Sequence, residues 1–253
     1  SGSDVWHDNY VIVEVPQGDI LPTGFPEGLA SVRLEHVEFS LENSDFYDES
    51  ADGRGPLGGP DRGWFTKDNV LKAFESWNEA LTLENLKTWT SNYKFKENKT
   101  PKNIAVIMAG NIPLVGFHDF LSVLISGNNC IVKQSSNDKH FLPLITKYLE
   151  HYNPYFKNKI TFTEDKLCDF NAVISTGSNN TARYFEHYFG KYPNIIRQNR
   201  NSVAIITGKE SKEDLEALGE DIFQYFGLGC RNVSKIFVPQ DYNFDLLFNA
   251  FYK

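Results

Sequence analysis

The chain has 253 residues, 41% of them hydrophobic and 23% charged, with a formal net charge of −8, a composition ordinary for one large or two modest globular domains. That acidic balance disfavours nucleic acid and anionic membrane surfaces as partners, and no stretch approaches the ~20 apolar residues of a membrane-spanning helix. Three cysteines, Cys130, Cys168 and Cys230, lack CxxC spacing and have no histidine cluster beside them, which argues against a zinc site or disulfide framework and for a reducing, cytoplasmic compartment.

The N-terminus "SGSDVWHDNY" has neither the basic start nor the apolar centre of a secretory signal. Residues 1–62 hold 13 acidic residues, 3 arginines and no lysine, a net −10 against +2 for the rest. Within them "VIVEV" and "SVRLEHVEFSL" alternate apolar and polar residues as strands do, and a Gly/Pro-rich linker follows. This predicts a small, acidic, β-rich extension or fusion over 1–62. A helix is expected next, capped by Thr66 and carrying Val70, Leu71, Phe74, Trp77 and Leu81 at helical steps. A second is capped by Thr82, with Leu86 and Trp89 on its inner stripe.

From Asn103 the pattern changes. Ile104 to Met108 and "NCIVKQSS" read as short buried strands, and "ITFTEDK", "FNAVISTGS", "NSVAIITG" and "VSKIFVP" as further strands. Between them "LVGFHDFLSVLISG", "KHFLPLITKYLEHY", "NNTARYFEHYFG" and "SKEDLEALGEDIFQYFG" read as helices, with Gly127 closing the first and Ser211 opening the last. Alternation of this kind predicts an α/β fold: a mostly parallel, Rossmann-like sheet with helices on both faces.

Ligands of such sheets bind at the carboxyl ends of the strands, and three of those ends are chemically loaded. They are "AGN" (Ala109 to Asn111), "KQSS" (Lys133 to Ser136) and "STGSNN" (Ser175 to Asn180). In the last, Thr176, Gly177 and Ser178 could offer N–H groups and hydroxyls to a phosphate at a helix start, or could simply be a helix cap. Neither GxGxxG nor GxxxxGK[ST] is present. Read alone, Cys230 in "YFGLGCRNVSK" is more often a packing residue than a nucleophile.

Taken in order, these pieces resemble the aldehyde dehydrogenase superfamily. "MAGNIPL" is similar to its "PWNFP" element, "LSVLISGNNCIVKQSS" to "LAAGNTVVLKPSE", "VISTGS" to the "FTGS" turn, and "GLGC" to "GQxC". Longer runs such as "GNIPLVGFHDFL" and "GSNNTARYFEHYFGKYPNIIR" resemble the acyl-CoA reductase branch, the family of the fatty-acyl reductase of bacterial luminescence, in its Bacteroidetes-type members. The resemblance runs from about Trp64 to the end and leaves 1–62 unassigned.

The resemblance implies an aldehyde-dehydrogenase-like fold, with a cofactor-binding domain over 63–229 and the opening of a catalytic domain over 230–253. It implies reduction of a fatty acyl-CoA or acyl-protein thioester to the aldehyde through an S-acyl intermediate on Cys230. Asn111 falls on the side-chain amide of the oxyanion site, and Gly229 on the close approach beside the nucleophile. Met108, Ala109, Gly110, Lys133, Ser135, Ser136, Thr176, Gly177 and Ser178 fall on the cofactor site. Ser136 stands where NAD-dependent relatives carry a glutamate, so NADP(H) is favoured over NAD(H), with Lys133 and Ser135 nearest the extra phosphate.

Relatives that hydrolyse the acyl-enzyme place a glutamate base in "ELGGKSP". The matching stretch here, "RQNRNSVAI", puts Arg197 at that position, which fits a reductase. Arg197, Arg200 and Arg231 could meet coenzyme A phosphates or stay solvated. His118 is read as a half-buried packing histidine, Cys130 as a strand packer and Cys168 as a loop residue. A homo-oligomer is expected. Family members continue beyond the point where this sequence stops, so a truncated catalytic domain is expected. The competing reading is an inactive nucleotide-binding or scaffold module.

Overall fold

A computed structural model describes residues 65–95, 100–198 and 200–252. The expectations for 1–62 lie outside the described residues.

Two helices come first, α1 (Lys67–Ala80) and α2 (Leu83–Ser91). The hydroxyls of Thr66 and Thr82 accept the N–H groups of Asn69 and Asn85, satisfying donors that a helix start leaves without intrahelical partners. The main sheet follows. Its strands are β1 (Asn103–Ile107), β2 (Asn129–Lys133), β3 (Ile160–Phe162), β4 (Ala172–Thr176) and β5 (Asn194–Arg197), all parallel in the order β3-β2-β1-β4-β5. Helix α3 (Phe117–Ile125) joins β1 to β2, α4 (Phe141–Tyr152) leads from β2 towards β3, and α5 (Asn179–Phe189) joins β4 to β5. The chain works outward from β1 to β3, then reverses and continues from β4. With right-handed crossovers, that reversal puts α3 and α4 on one face and α5 on the other.

The second sheet pairs β6 (Ser202–Ile205) with β7 (Val233–Phe237), again in parallel. Helices α6 (Lys212–Phe223) and α7 (Phe244–Phe251) accompany it. The main core includes Phe74, Leu86, Val106, Phe120, Leu124, Val132 and Ile145. A smaller core of Ile206, Leu215, Leu247 and Ala250 holds the second sheet and its helices together. Asn111 bridges to the second unit through the Leu228 carbonyl, and Lys72 on α1 pairs with Glu220 on α6 at 3.3 Å.

Three local features differ from the pattern in the sequence. Helix α3 begins at Phe117 rather than near Leu114, because Leu114 takes a left-handed conformation (φ 57°) that no L-residue helix can contain. The short strand β5 and helix α7 are additions to the elements that the sequence pattern predicts. Four residues of "NIIR" carry too little periodicity to register.

Candidate active site

The sheet reverses direction between β1 and β4, and in open α/β sheets such a switch point opens a crevice at the strands' carboxyl ends. The loop after β1 carries Met108, Ala109, Gly110 and Asn111. The turn after β4 carries Gly177 and Ser178, with Thr176 as the strand's last residue. The loop after β2 carries Ser135 and Ser136.

These loops interlock. The Met108 N–H donates to the Lys133 carbonyl at 3.0 Å. Gly110 is buried, and a Cβ there would stand 2.5 Å from the Ser135 Cβ and 3.0 Å from that of Asn137. Oδ2 of Asp138 accepts the Leu114 N–H at 2.7 Å, holding Leu114 in the strained conformation that ends the β1 loop. The other oxygen, Oδ1, is buried with no hydrogen-bond partner. Burial pushes the Asp138 carboxyl up to about 7, against the opposing pull of the Leu114 N–H.

Cys230 sits half-buried after an unusual turn. Tyr225 (φ 52°), Phe226 (φ 56°) and Gly227 (φ 71°) are consecutive left-handed residues. Two of these are bulky side chains, for which the conformation costs about 1–2 kcal/mol each. Asn232 clamps the turn: its Nδ2 donates to the carbonyls of Asp221, Ile222 and Gln224 at 2.9, 3.3 and 3.0 Å. Its Oδ1 occupies the space a Cβ on Gly229 would need, so a glycine is required beside the cysteine. Asn111 reaches this loop from the main sheet, its Nδ2 donating to the Leu228 carbonyl at 2.6 Å. Asn111 and Cys230, 119 positions apart in the sequence, are thereby brought to the same loop.

On the other side of the crevice, Lys133 ends β2 and its Nζ donates to the carbonyls of Glu164 and Asp165 at 3.0 and 2.7 Å. Beside it a cavity of about 420 Å³ is lined in part by Ser135, Ser136, Lys139 and Thr163. The Ser178 hydroxyl accepts the Thr181 N–H at 3.2 Å and caps α5. A Cβ on Gly177 would come 3.0 Å from Thr181 and 3.2 Å from Phe185, so a bare glycine lets the turn pack closely against α5. The cavity, with its lysines and hydroxyls, has the donors that could hold part of a nucleotide. Among the described residues no group of acidic, histidine or cysteine side chains could hold a metal ion.

The chain's other two thiols are unlike Cys230. Cys130 in β2 is 1% exposed, and burial, then the Asp119 charge, push its thiol up. Cys168 is exposed on the loop before β4.

Arg197 is engaged by a carboxylate of the same chain. Its guanidinium is in direct contact with the Asp119 carboxylate on α3, and its carbonyl accepts the Gly177 N–H at 3.2 Å. Burial raises the Asp119 carboxyl, but contacts to His118 and the Arg197 charge outweigh it and hold the group below its ordinary value. His118 lies between Asp119 and Trp89. Its Nδ1 lies 3.7 Å from Asp119, and its ring lies against Trp89 with centroids 5.5 Å apart. Arg197→Ala is expected to destabilise the fold by about 2 kcal/mol, less than for a fully sealed pair because Arg197 is 29% exposed. Urea unfolding checks this, and Asp119→Asn in the same chain should recover part of the loss.

A family model described as acyl-CoA reductase (LuxC) matches residues 62–246. The chain belongs to this family. A curated relative, the long-chain acyl-protein thioester reductase of Aliivibrio fischeri, is 26% identical over 173 residues, covering 60% of this chain and 35% of that protein. The chain thus spans about a third of the length of that relative.

Among solved structures, Proline Utilization A from Corynebacterium freiburgense matches with a TM-score of 0.59 at 16% identity, over 72% of this chain and 21% of that one. A point mutant of aldehyde dehydrogenase from Bacillus cereus matches with a TM-score of 0.56 at 14% identity, over 70% and 42%. At those identities the likeness is one of fold, and the fold is that of the aldehyde dehydrogenases.

Proposed function

We propose that this acyl-CoA reductase family member reduces a fatty acyl thioester, carried on coenzyme A or on a protein, to the aldehyde through an S-acyl intermediate on Cys230. The observation that carries the reading is the Asn111–Leu228 hydrogen bond, which puts a side-chain amide beside the cysteine's loop. The Cys230 thiolate attacks the thioester carbonyl carbon. Negative charge collects on the carbonyl oxygen, where the Asn111 amide and the Cys230 backbone N–H receive it. The carbon–sulfur bond to the carrier breaks, the carrier thiolate takes a proton from solvent, and the acyl group stays on Cys230. A reduced nicotinamide nucleotide, when bound, supplies the hydride that takes this thioester to the aldehyde.

Lys133, Ser135, Ser136 and the Thr176-Gly177-Ser178 turn, with Met108, Ala109 and Gly110 behind them, are the residues proposed to hold that nucleotide. A neutral Ser136 at the cavity supports NADP(H) over NAD(H). The acyl-enzyme must outlast attack by water, and the Arg197–Asp119 pair supports this. The position that the resemblance gives to the hydrolytic base holds Arg197, and the carboxylate in contact with it, Asp119, is tied up in that pair.

The division at 229/230 places Cys230 at the seam between a cofactor unit and a catalytic unit. Leu215 before that division and Leu247 after it share the smaller core, so β6 and α6 pack with the residues after 229. No helix among the described residues is long and apolar enough to cross a membrane, in keeping with a cytoplasmic enzyme. Exposed Ile205, Leu246 and Phe248 support self-association.

The test is acylation. Mixing the chain with a long-chain acyl-CoA should add one acyl mass and release one equivalent of coenzyme A thiol. Folded protein that gains no acyl mass would sink the reading.

A further inference from the structure

The cavity at the carboxyl ends of β2 and β3 divides its two lysines between different tasks. Lys133 gives two of its three ammonium protons to the Glu164 and Asp165 carbonyls. It is held at the strand end with one proton left. Lys139 also lines the cavity, is exposed, and makes no hydrogen bond or ion pair among the described residues. Its charge is uncommitted.

The neutral groups around it are arranged as donors. The Ser135 oxygen already accepts the Asn137 N–H at 3.2 Å, and the Thr163 oxygen accepts the Asp165 N–H at 3.1 Å. Each hydroxyl is left with its proton to give. Glu164 is the one carboxylate among the lining residues, so two ammonium groups leave the lining net positive. A cluster of outward donors with a free ammonium matches a phosphate monoester, whose three oxygens only accept. A ribose diol, which must both donate and accept, would use the last Lys133 proton but has no need of Lys139.

We propose that Lys139 selects a 2′-phosphorylated adenine nucleotide, with the Ser135 and Thr163 hydroxyls as neutral donors and Lys133 kept for the ribose. This rests on the nucleotide-binding reading above and moves the discriminating charge from Lys133 to Lys139. The cofactor preference then lies in a residue six positions past the strand end, on the loop that leads into α4.

The test is calorimetric titration of the chain with two fragments that lack nicotinamide, 2′,5′-ADP and 5′-AMP. The parent should bind 2′,5′-ADP more tightly. Lys139→Gln should lose about tenfold on 2′,5′-ADP, the worth of one hydrogen bond to a charged group, and nothing on 5′-AMP. Lys139→Arg should keep the preference. The proposal is overturned if Lys139→Gln binds 2′,5′-ADP as the parent does, or weakens on both fragments alike. A parent that binds both fragments equally also overturns it, leaving nucleotide binding intact. A parent that binds neither overturns the nucleotide reading itself. Because Lys139 is exposed and unpaired among the described residues, the variant is expected to fold as the parent does.

Discussion

Asn111→Ala is expected to slow acyl transfer to Cys230 about a hundredfold to a thousandfold, the usual cost of removing one oxyanion donor. The Asn111 amide has two N–H groups. One is fixed to the Leu228 carbonyl at 2.6 Å, which sets the amide's orientation, and the other is free to face the carbonyl oxygen of a thioester on Cys230. Alanine removes both the donor and the tether between the β1 loop and the cysteine loop. Asn111→Asp keeps the shape but puts negative charge where negative charge develops, so it should be at least as slow. Single-turnover release of coenzyme A thiol measures the effect. Binding of 5′-AMP serves as the control and should be unchanged, since the nucleotide cavity involves other residues. A loss of less than about threefold in acyl transfer would take Asn111 out of the oxyanion site, given the size of such effects elsewhere.

Asp138→Asn is expected to remove a pH dependence of stability. The folded carboxyl titrates at about 7 against an ordinary 3.8. Between those values the unfolded chain has released this proton and the folded chain still holds it. The group's contribution is therefore fully present below about pH 4 and is lost as pH rises through about 7. The loss amounts to about 4 kcal/mol at its limit. Asparagine keeps an oxygen for the Leu114 N–H and cannot ionise, so the variant should gain on the parent from pH 4.5 to about pH 7 and hold that gain to pH 8. Denaturant unfolding of both chains across that range measures it. Taking the difference cancels Asp119, whose lowered carboxyl acts with the opposite sign at low pH. Parallel stability curves for parent and variant would mean that Asp138 is ionised in the folded chain.

Elements whose pattern is local were legible in the sequence. Thr66 and Thr82 cap their helices as read, and Gly127 closes α3 with φ 77°. The apolar runs around Val106, Val132 and Val173 form the middle of a parallel sheet. The order of loaded strand ends also pointed to the right family. What the sequence hid depends on distant contacts. Asp119 and Arg197 are 78 positions apart, and nothing in "FHDF" or "IIRQ" announces a pair. Asn232 looks like a polar residue before a strand, yet it closes three carbonyls and forces a glycine at 229. The conformation of Leu114, which moves the start of α3, is imposed by Asp138 from another loop. Lys139 reads in the sequence as one more solvated lysine, and only β3 places Phe162, Thr163 and Glu164 on the other side of its cavity.

One particular thiol, that of Cys230, is proposed to take the acyl group. The three cysteines differ enough to make the test sharp: Cys130 is sealed with a raised thiol, Cys168 is exposed in a loop, and Cys230 is half-buried in the clamped turn. The direct measurement is peptide mapping of the chain after brief incubation with a long-chain acyl-CoA, under conditions that preserve thioesters. The acyl group should be found on the peptide containing Cys230 and nowhere else. An acyl group on Cys168, or shared between Cys168 and Cys230 in proportion to exposure, would contradict a built nucleophile and leave only surface thiol chemistry.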